Sequence, residues 1–158
     1  MKTQIREAKR EDMPNVLALI QELADFEKEP EAVEVTISDL EKYGFGSNPS
    51  FHCFVAEKGQ EITGIALVYF RFSTWKGPVV HLEDLIVSEQ HRGTGVGSAL
   101  YKRVMEYAVT KGVKRVSWEV LDWNTPAIDF YEKSGAKVLR DWHVVQMDQK
   151  GLSTFLES

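Results

Sequence analysis

The chain has little of what marks several protein classes. Of its 158 residues only Cys53 is a cysteine, which excludes an internal disulfide and a cysteine-rich metal centre. The four histidines (His52, His81, His91, His143) have no ligand-like spacing, so no metal site is expected. Positive charge is in deficit: a net charge of −5 with no basic patch argues against a nucleic-acid partner. That balance is compatible with a cationic small substrate. No signal peptide is recognisable and no apolar run is long enough to span a bilayer, so a cytoplasmic chain without a membrane partner is expected. Internal repeats, low-complexity tracts and linkers are absent. What remains has the composition of a soluble globular protein and the length of one domain, residues 1–158, with a sizeable core.

What is present centres on the stretch from Val80 to Tyr101. A strand-like run, Val80 to Val87, passes through a polar turn into Gly93, Gly95 and Gly97, and a helical pattern follows. A glycine-rich turn between a strand and a helix cradles phosphate, because backbone N–H groups converge there and the helix N-terminus favours an anion. Arg92, just before the first glycine, adds a charge suited to phosphate. A P-loop requires Gly-Lys-Ser/Thr, yet Gly97 is followed by Ser98 and Ala99. A dinucleotide fingerprint requires glycine at the sixth position from Gly93, which is Ser98. The pattern that fits is Gln90-x-x-Gly93-x-Gly95.

Around this centre the elements follow from periodicity and punctuation. Thr3 to Ala8 reads as a strand. Met13, Val16, Leu17, Ile20, Leu23 and Ala24 recur at helical spacing to about Lys28. Thr36 or Ser38 caps a short helix around Asp39 to Tyr43, stopped by Gly44 and Gly46. Phe51–Glu57 and Glu61–Trp75 form an antiparallel hairpin across Gly59, and Gly77-Pro78 turns into the Val80 strand. Val96, Leu100, Val104 and Ala108 mark a helix to Gly112, and Val113 to Leu121 is a further strand. Asn124-Thr125-Pro126 starts a helix that ends at Gly135, with proline expected at the first helical position. Lys137 to Met147 is expected as a last strand, and the tail from Gly151 is too short to read. The order βααβββαβαβ predicts a mixed-sheet α/β domain.

The segment NTPAIDFYEKSGA, Asn124 to Ala136, supplies the second motif. Asn124 and Tyr131 are seven residues apart, about two helical turns, and so can face one ligand. Together with the glycine loop it resembles the GNAT superfamily of N-acetyltransferases. The likeness narrows through LIQELADFE (Leu19–Glu27), GFG (Gly44–Gly46), FHCFVAE (Phe51–Glu57) and LED (Leu82–Asp84). These are similar to spermidine/spermine N-acetyltransferases and their thialysine-acetylating relatives, from about Ile5 to Asp148. The resemblance implies a single-domain α/β GNAT fold with a mixed, mostly antiparallel central sheet flanked by helices. It also implies acetyl-coenzyme A as cosubstrate, no metal, and a homodimer.

By the same resemblance, the pyrophosphate of coenzyme A is held by the loop of Arg92, Gly93, Thr94, Gly95, Val96, Gly97 and Ser98. Leu85, Ile86 and Val87 pair with the pantetheine arm, and Asn124, Ala127 and Tyr131 also contact the cofactor. Glu83 is implied as the general base and Tyr131 as the general acid. Acetyl transfer needs such groups: an alkylammonium of pKa about 10.4 is neutral in only roughly one molecule in a few thousand at pH 7. Phe26, Glu27, Trp75, Glu83, Glu119 and Trp142 are implied around the amine. Carboxylates and aromatic faces suit a polycation through charge pairing and cation–π contact. Ser73 and Arg140 depart from the polyamine enzymes, each standing where an acid precedes a tryptophan. The expected acceptor is therefore a thialysine-like amino acid or short diamine rather than spermine. Two alternatives remain open: acetylation of a protein or another small amine, and a non-catalytic coenzyme A-binding module.

Overall fold

In the computed structural model, which describes residues Met1–Ser158, the chain forms two compact units, Met1–Glu119 and Val120–Ser158. The first unit contains β1 (Thr3–Glu7), α1 (Met13–Phe26), α2 (Ile37–Phe45), β2 (His52–Lys58), β3 (Glu61–Ser73), β4 (Gly77–Val87), α3 (Val96–Lys111) and β5 (Val116–Ser117). Its five strands lie in sequence order, antiparallel from β1 to β4 and parallel between β4 and β5. A parallel pair needs a crossover, and α3 provides it. The sheet is thus mixed and mostly antiparallel, as expected.

Strict alternation along the strands divides the core between two faces. Phe54, Ala56, Ala66, Val68, Val80 and Leu82 pack against Val96, Leu100, Val104 and Ala108 of α3. Cys53, Val55, Ile65, Leu67 and Ile86 pack against Met13, Val16 and Leu19 of α1 and Leu40 of α2. Each fully buried aliphatic side chain contributes about 1.5–3 kcal/mol to the folded state. Gly64 lets α3 come close, since a Cβ there would lie 2.9 Å from the carbonyl oxygen of Ile86 and 3.0 Å from Leu100.

One irregularity in β4 decides what the strand presents. Leu67 pairs with Asp84 but Val68 pairs with Leu82, so Glu83 is an extra residue in a β-bulge. The bulge reverses the alternation. Before it, the even-numbered Val80 and Leu82 face α3; after it, the odd-numbered Leu85 and Val87 pack on that side and Ile86 joins α1.

Local signals for the helix ends are mostly where the sequence places them. Thr36 caps α2 by accepting from the N–H of Asp39 at 3.1 Å, and its own N–H donates to the Asp39 carboxylate at 2.9 Å. The first helix stops at Phe26 rather than Lys28, where the backbone turns left-handed at φ 65°. Gly112 closes α3 at φ 72°.

The second unit contains α4 (Thr125–Lys133) and α5 (Gln149–Glu157). Asn124 caps α4 as expected, accepting from the N–H of Ala127 at 3.4 Å. Thr125, not Pro126, takes the first helical position. Two expectations need correction. The strand Val113–Leu121 reduces to Val116–Ser117, and Lys137–Met147 forms no strand at all. Residues of high β-propensity become a strand only when a neighbour supplies ladder hydrogen bonds. The Lys137–Met147 run also lacks clean alternation, with Val144 and Val145 adjacent and both exposed. The tail does fold: Asp148 accepts from the N–H of Gly151 at 2.8 Å and starts α5. An aspartate followed by Leu152, Phe155 and Leu156 at helical spacing was the signal for it.

Candidate active site

The glycine loop joins the end of β4 to α3. Gly93 and Gly95 sit at φ 76° and 87°, in the left-handed region that side-chain-bearing residues avoid. Open space faces both, with nothing within 4 Å of where a Cβ would stand. Gly95 is the N-cap of α3 and no side chain caps that end, so the first N–H groups of the helix remain available to an anion. Thr94 donates its hydroxyl to the carbonyl oxygen of His91, bracing the turn. The stretch from Arg92 to Ser98 thus offers backbone N–H groups to an anion.

Arg92 is held toward α1. Its Nε donates to the Val87 carbonyl at 3.2 Å, its Nη2 lies 3.7 Å from the Glu22 carboxylate, and its guanidinium stacks 5.4 Å from the Phe26 ring centre. Glu22 also accepts from the N–H of Glu89 at 2.7 Å, so the end of α1 anchors the start of the loop.

The strand leading into the loop has an open edge. Pairing with β5 covers only Val80 and His81, so from Leu82 through Val87 the outer edge of β4 has no strand partner. Backbone groups of Leu85, Ile86 and Val87 on that edge can therefore pair with an extended ligand, in the manner of an added strand.

Beside this edge the structure gathers acidic residues. Glu83 stands in the bulge, half exposed, with its carboxylate 3.6 Å from His81 Nε2. Asp84, next to it, is mostly enclosed, and burial pushes its carboxyl up to about 6, helped by the negative charges of Glu83 and Glu27. Burial also raises the Glu27 carboxyl above its usual range. Glu119 is near enough to act on both Tyr69 and His81. Two sequence-predicted acids, Glu83 and Glu119, thus both act on His81, and the third, Glu27, acts on the neighbouring Asp84. Asp84, Tyr69, Arg71 and His81 join them without having been singled out as site residues. The i, i+2 spacing of Tyr69 and Arg71, which puts both on one face of β3, was the available signal; their pairing with β4 was not legible in advance.

Two further predicted residues belong to the first unit. Phe26 ends α1, and Trp75 is exposed in the β3–β4 turn, where Ser73 Oγ accepts from the N–H groups of Trp75 and Lys76, each at 3.1 Å. Ser73 therefore holds the turn that carries Trp75. Cys53 is buried, and burial pushes its thiol up to about 12, which agrees with core filling rather than acyl carriage. In the second unit, Tyr131 lies at the end of α4, ring to ring with Phe130 at 5.7 Å, and Ala127 lies in the first turn of that helix. Arg140 pairs with Glu132 at 3.3 Å, and Trp142 is exposed. No group of His, Cys, Asp and Glu forms a metal cluster, and no helix is long and apolar enough to cross a membrane.

The bulged strand thus leads into a glycine-capped helix, and the chain belongs to the acetyltransferase (GNAT) family, whose profile matches residues 13–136. It is an acetyltransferase, of a family that uses acetyl-coenzyme A as cosubstrate. The chain is 40% identical over 159 residues to thialysine N-epsilon-acetyltransferase of Bos taurus, covering 94% of each. It is 36% identical over 159 residues to spermidine/spermine N(1)-acetyltransferase-like protein 1 of Homo sapiens, covering 94% of this chain and 23% of that one. The fold matches an integron cassette protein from the mobile metagenome of V. cholerae with TM-score 0.80, at 23% identity, over 100% of this chain and 99% of the other.

The loop assignment has a direct test. Gly95→Val forces a β-branched residue to φ 87°, a change worth about 1–2 kcal/mol in the loop conformation. Calorimetry on the folded variant should show acetyl-coenzyme A binding weakened by about tenfold or more. Unchanged affinity would remove the phosphate cradle from this loop.

Proposed function

We propose that residues 1–158 act as one N-acetyltransferase domain, transferring the acetyl group of acetyl-coenzyme A to a primary amine of a small molecule. The acetyl donor supplies a thioester, and the acceptor amine attacks it directly, with no enzyme nucleophile. Glu83 takes a proton from the ammonium, directly or through water. N–H groups on the open edge of β4 between Leu85 and Val87 polarise the thioester carbonyl. Tyr131 protonates the departing thiolate, whose conjugate thiol has a pKa of about 8.5. Arg92 to Ser98 bind the pyrophosphate, while Asn124 and Ala127 line the cofactor at the start of α4. No metal takes part. The observation that carries this reading is the bulge that sets Glu83 beside the unpaired edge of β4, with the glycine loop at the same strand's end.

For the acceptor we favour a thialysine-like amino acid or a short diamine over spermine. Glu27, Glu83 and Glu119, with Phe26, Trp75 and Trp142, suit an ammonium chain. Arg140 and Ser73 reduce the negative charge a long polyamine requires. Arg140 shares its charge with Glu132 at 3.3 Å and can still meet a carboxylate through its remaining N–H groups. A homodimer in the cytoplasm completes the proposal.

Thiol release measured against thialysine, a short diamine and spermine tests both levels. Turnover with any small amine supports the reaction, and no turnover with any of them favours a coenzyme A-binding module. A higher specificity constant for spermine would refute the acceptor class. Arg140→Glu should shift the preference toward polyamines by about tenfold, the effect of roughly 1.4 kcal/mol. If it does not move, Arg140 has no part in acceptor choice.

A further inference from the structure

Only three polar residues of the chain are buried: Asp12, Thr63 and His81. Asp12 is held by Arg6 at 2.8 Å, and the Thr63 hydroxyl donates to the Ala56 carbonyl at 3.3 Å. Both serve the fold. His81 differs, because one of its ring nitrogens looks toward the Glu83 carboxylate.

The two nitrogens are distinguished by their partners. Nδ1 lies 3.1 Å from Arg71 Nη1 and 2.9 Å from Ser117 Oγ. A guanidinium can only donate, so Nδ1 must offer its lone pair and the ring proton must sit on Nε2. Nε2 is the nitrogen 3.6 Å from Glu83 Oε2. We propose that His81 is a positioning residue for Glu83: a neutral imidazole, locked as the Nε2–H tautomer by Arg71 and Ser117, that donates to the Glu83 carboxylate and aims it at the acceptor amine. This rests on Glu83 being the base.

The geometry explains why the imidazole is buried where it is. Ser117 stands opposite His81 in the parallel ladder, and Tyr69 stands opposite it in the antiparallel one, ring centres 5.1 Å apart. The ring is thus wedged between β3 and β5 and cannot swing. Glu83 is half exposed in the bulge, where the Tyr69 hydroxyl also donates to its carboxylate, so His81 and Tyr69 hold it from two sides. At 3.6 Å the contact is longer than a formed hydrogen bond, and such contacts tighten when substrate binds.

The charged and titratable groups facing the ring are Arg71 and Tyr69 from β3, Glu83 from β4, and Glu119 just beyond β5. Burial, then the Arg71 charge, hold the imidazole below its usual range, and together they outweigh Glu83 and Glu119. Protonating the ring would also place an N–H on Nδ1 against the N–H of Arg71. A neutral donor has a functional advantage over an imidazolium here. It orients the carboxylate without adding a cation where an ammonium must dock.

Nitrogen-edited NMR of the full chain across about pH 5.5–8 reads the tautomer directly. His81 should titrate below its ordinary range, with Nδ1 unprotonated wherever the ring is neutral. An Nδ1–H tautomer, or titration near the ordinary value of about 6.5, overturns the proposal. In kinetics, His81→Phe should lower kcat by about 10- to 100-fold and move the acid limb of the pH profile upward. Affinity for acetyl-coenzyme A should stay within about twofold, and His81→Gln, which keeps an N–H donor, should recover most of the loss. An acid limb that stays in place in His81→Phe also overturns it. Should that variant not fold, Arg71→Met removes the obligate donor to Nδ1, and the Nδ1–H tautomer should then appear in the NMR experiment, with Nδ1–H donating to Ser117 Oγ. A ring that keeps Nδ1 unprotonated removes Arg71 as its lock and refutes the proposal. Full activity in Glu83→Gln would instead remove the base assignment, while the NMR result reports on the ring independently.

Discussion

Glu83→Gln should lower kcat/KM by about 10²–10⁴-fold at neutral pH, the range a positioned general base contributes. Glutamine has the same shape and stays polar, so the bulge that carries residue 83 and its pairing to β3 should persist. What disappears is the acceptor for the ammonium proton. The deficit should therefore shrink as pH rises, about tenfold per unit, because the fraction of neutral amine grows until pH approaches about 10.4. The neighbouring Asp84 provides an internal check. Its carboxyl is pushed up to about 6, so it is ionised above that pH. If Asp84 substituted for Glu83, the variant would keep near wild-type rates above pH 6 and lose them below it. A pH–rate profile that keeps both its height and its shape would remove Glu83 from proton transfer.

Tyr131→Phe should reduce kcat by about 10²-fold or more and leave acetyl-coenzyme A affinity nearly unchanged. The substitution keeps the ring and its edge-to-face contact with Phe130, and removes only the hydroxyl proton. Without a donor, the thiolate must leave as an anion, so the loss should be smaller with acyl donors whose thiols are more acidic. Single-turnover kinetics with two such donors separates this from a binding effect. Equal losses of kcat and cofactor affinity would make Tyr131 a packing residue of α4.

The sequence analysis and the structure agree where the information is local. Thr36 and Asp39 form a capping box because their spacing alone lets each side chain reach the other's backbone N–H. Gly93 and Gly95 adopt positive φ because that loop geometry admits little else. Asn124 caps α4 for the same local reason. The alternation of β2 and β3 divides the core between the two faces without reference to any distant residue.

What could not be read in advance depends on neighbours far apart in the chain. The Lys137–Met147 run has strand-forming residues but no ladder, and β5 is only two residues long where nine were expected. A strand is a property of a pair, and one sequence segment does not name its partner. The bulge at Glu83 is equally silent: LED within an apolar run is the same string with or without an extra residue in the pairing. Register between β3 and β4 decides it, and with it which side chains turn toward α1.

The amino-acid sequence by itself determined the helix caps, the glycine-lined loop and the two-faced alternation, because each depends on residues within a turn or two of one another, and it carried the family through motifs spread along the chain. Tertiary structure alone decided that Glu83 stands in a bulge beside an unpaired strand edge, that Asp84 is enclosed among like charges, and that Arg71 and Ser117 reach one nitrogen of His81. Those facts arise from strand register and from burial, which set distances and local dielectric between residues that no short window contains.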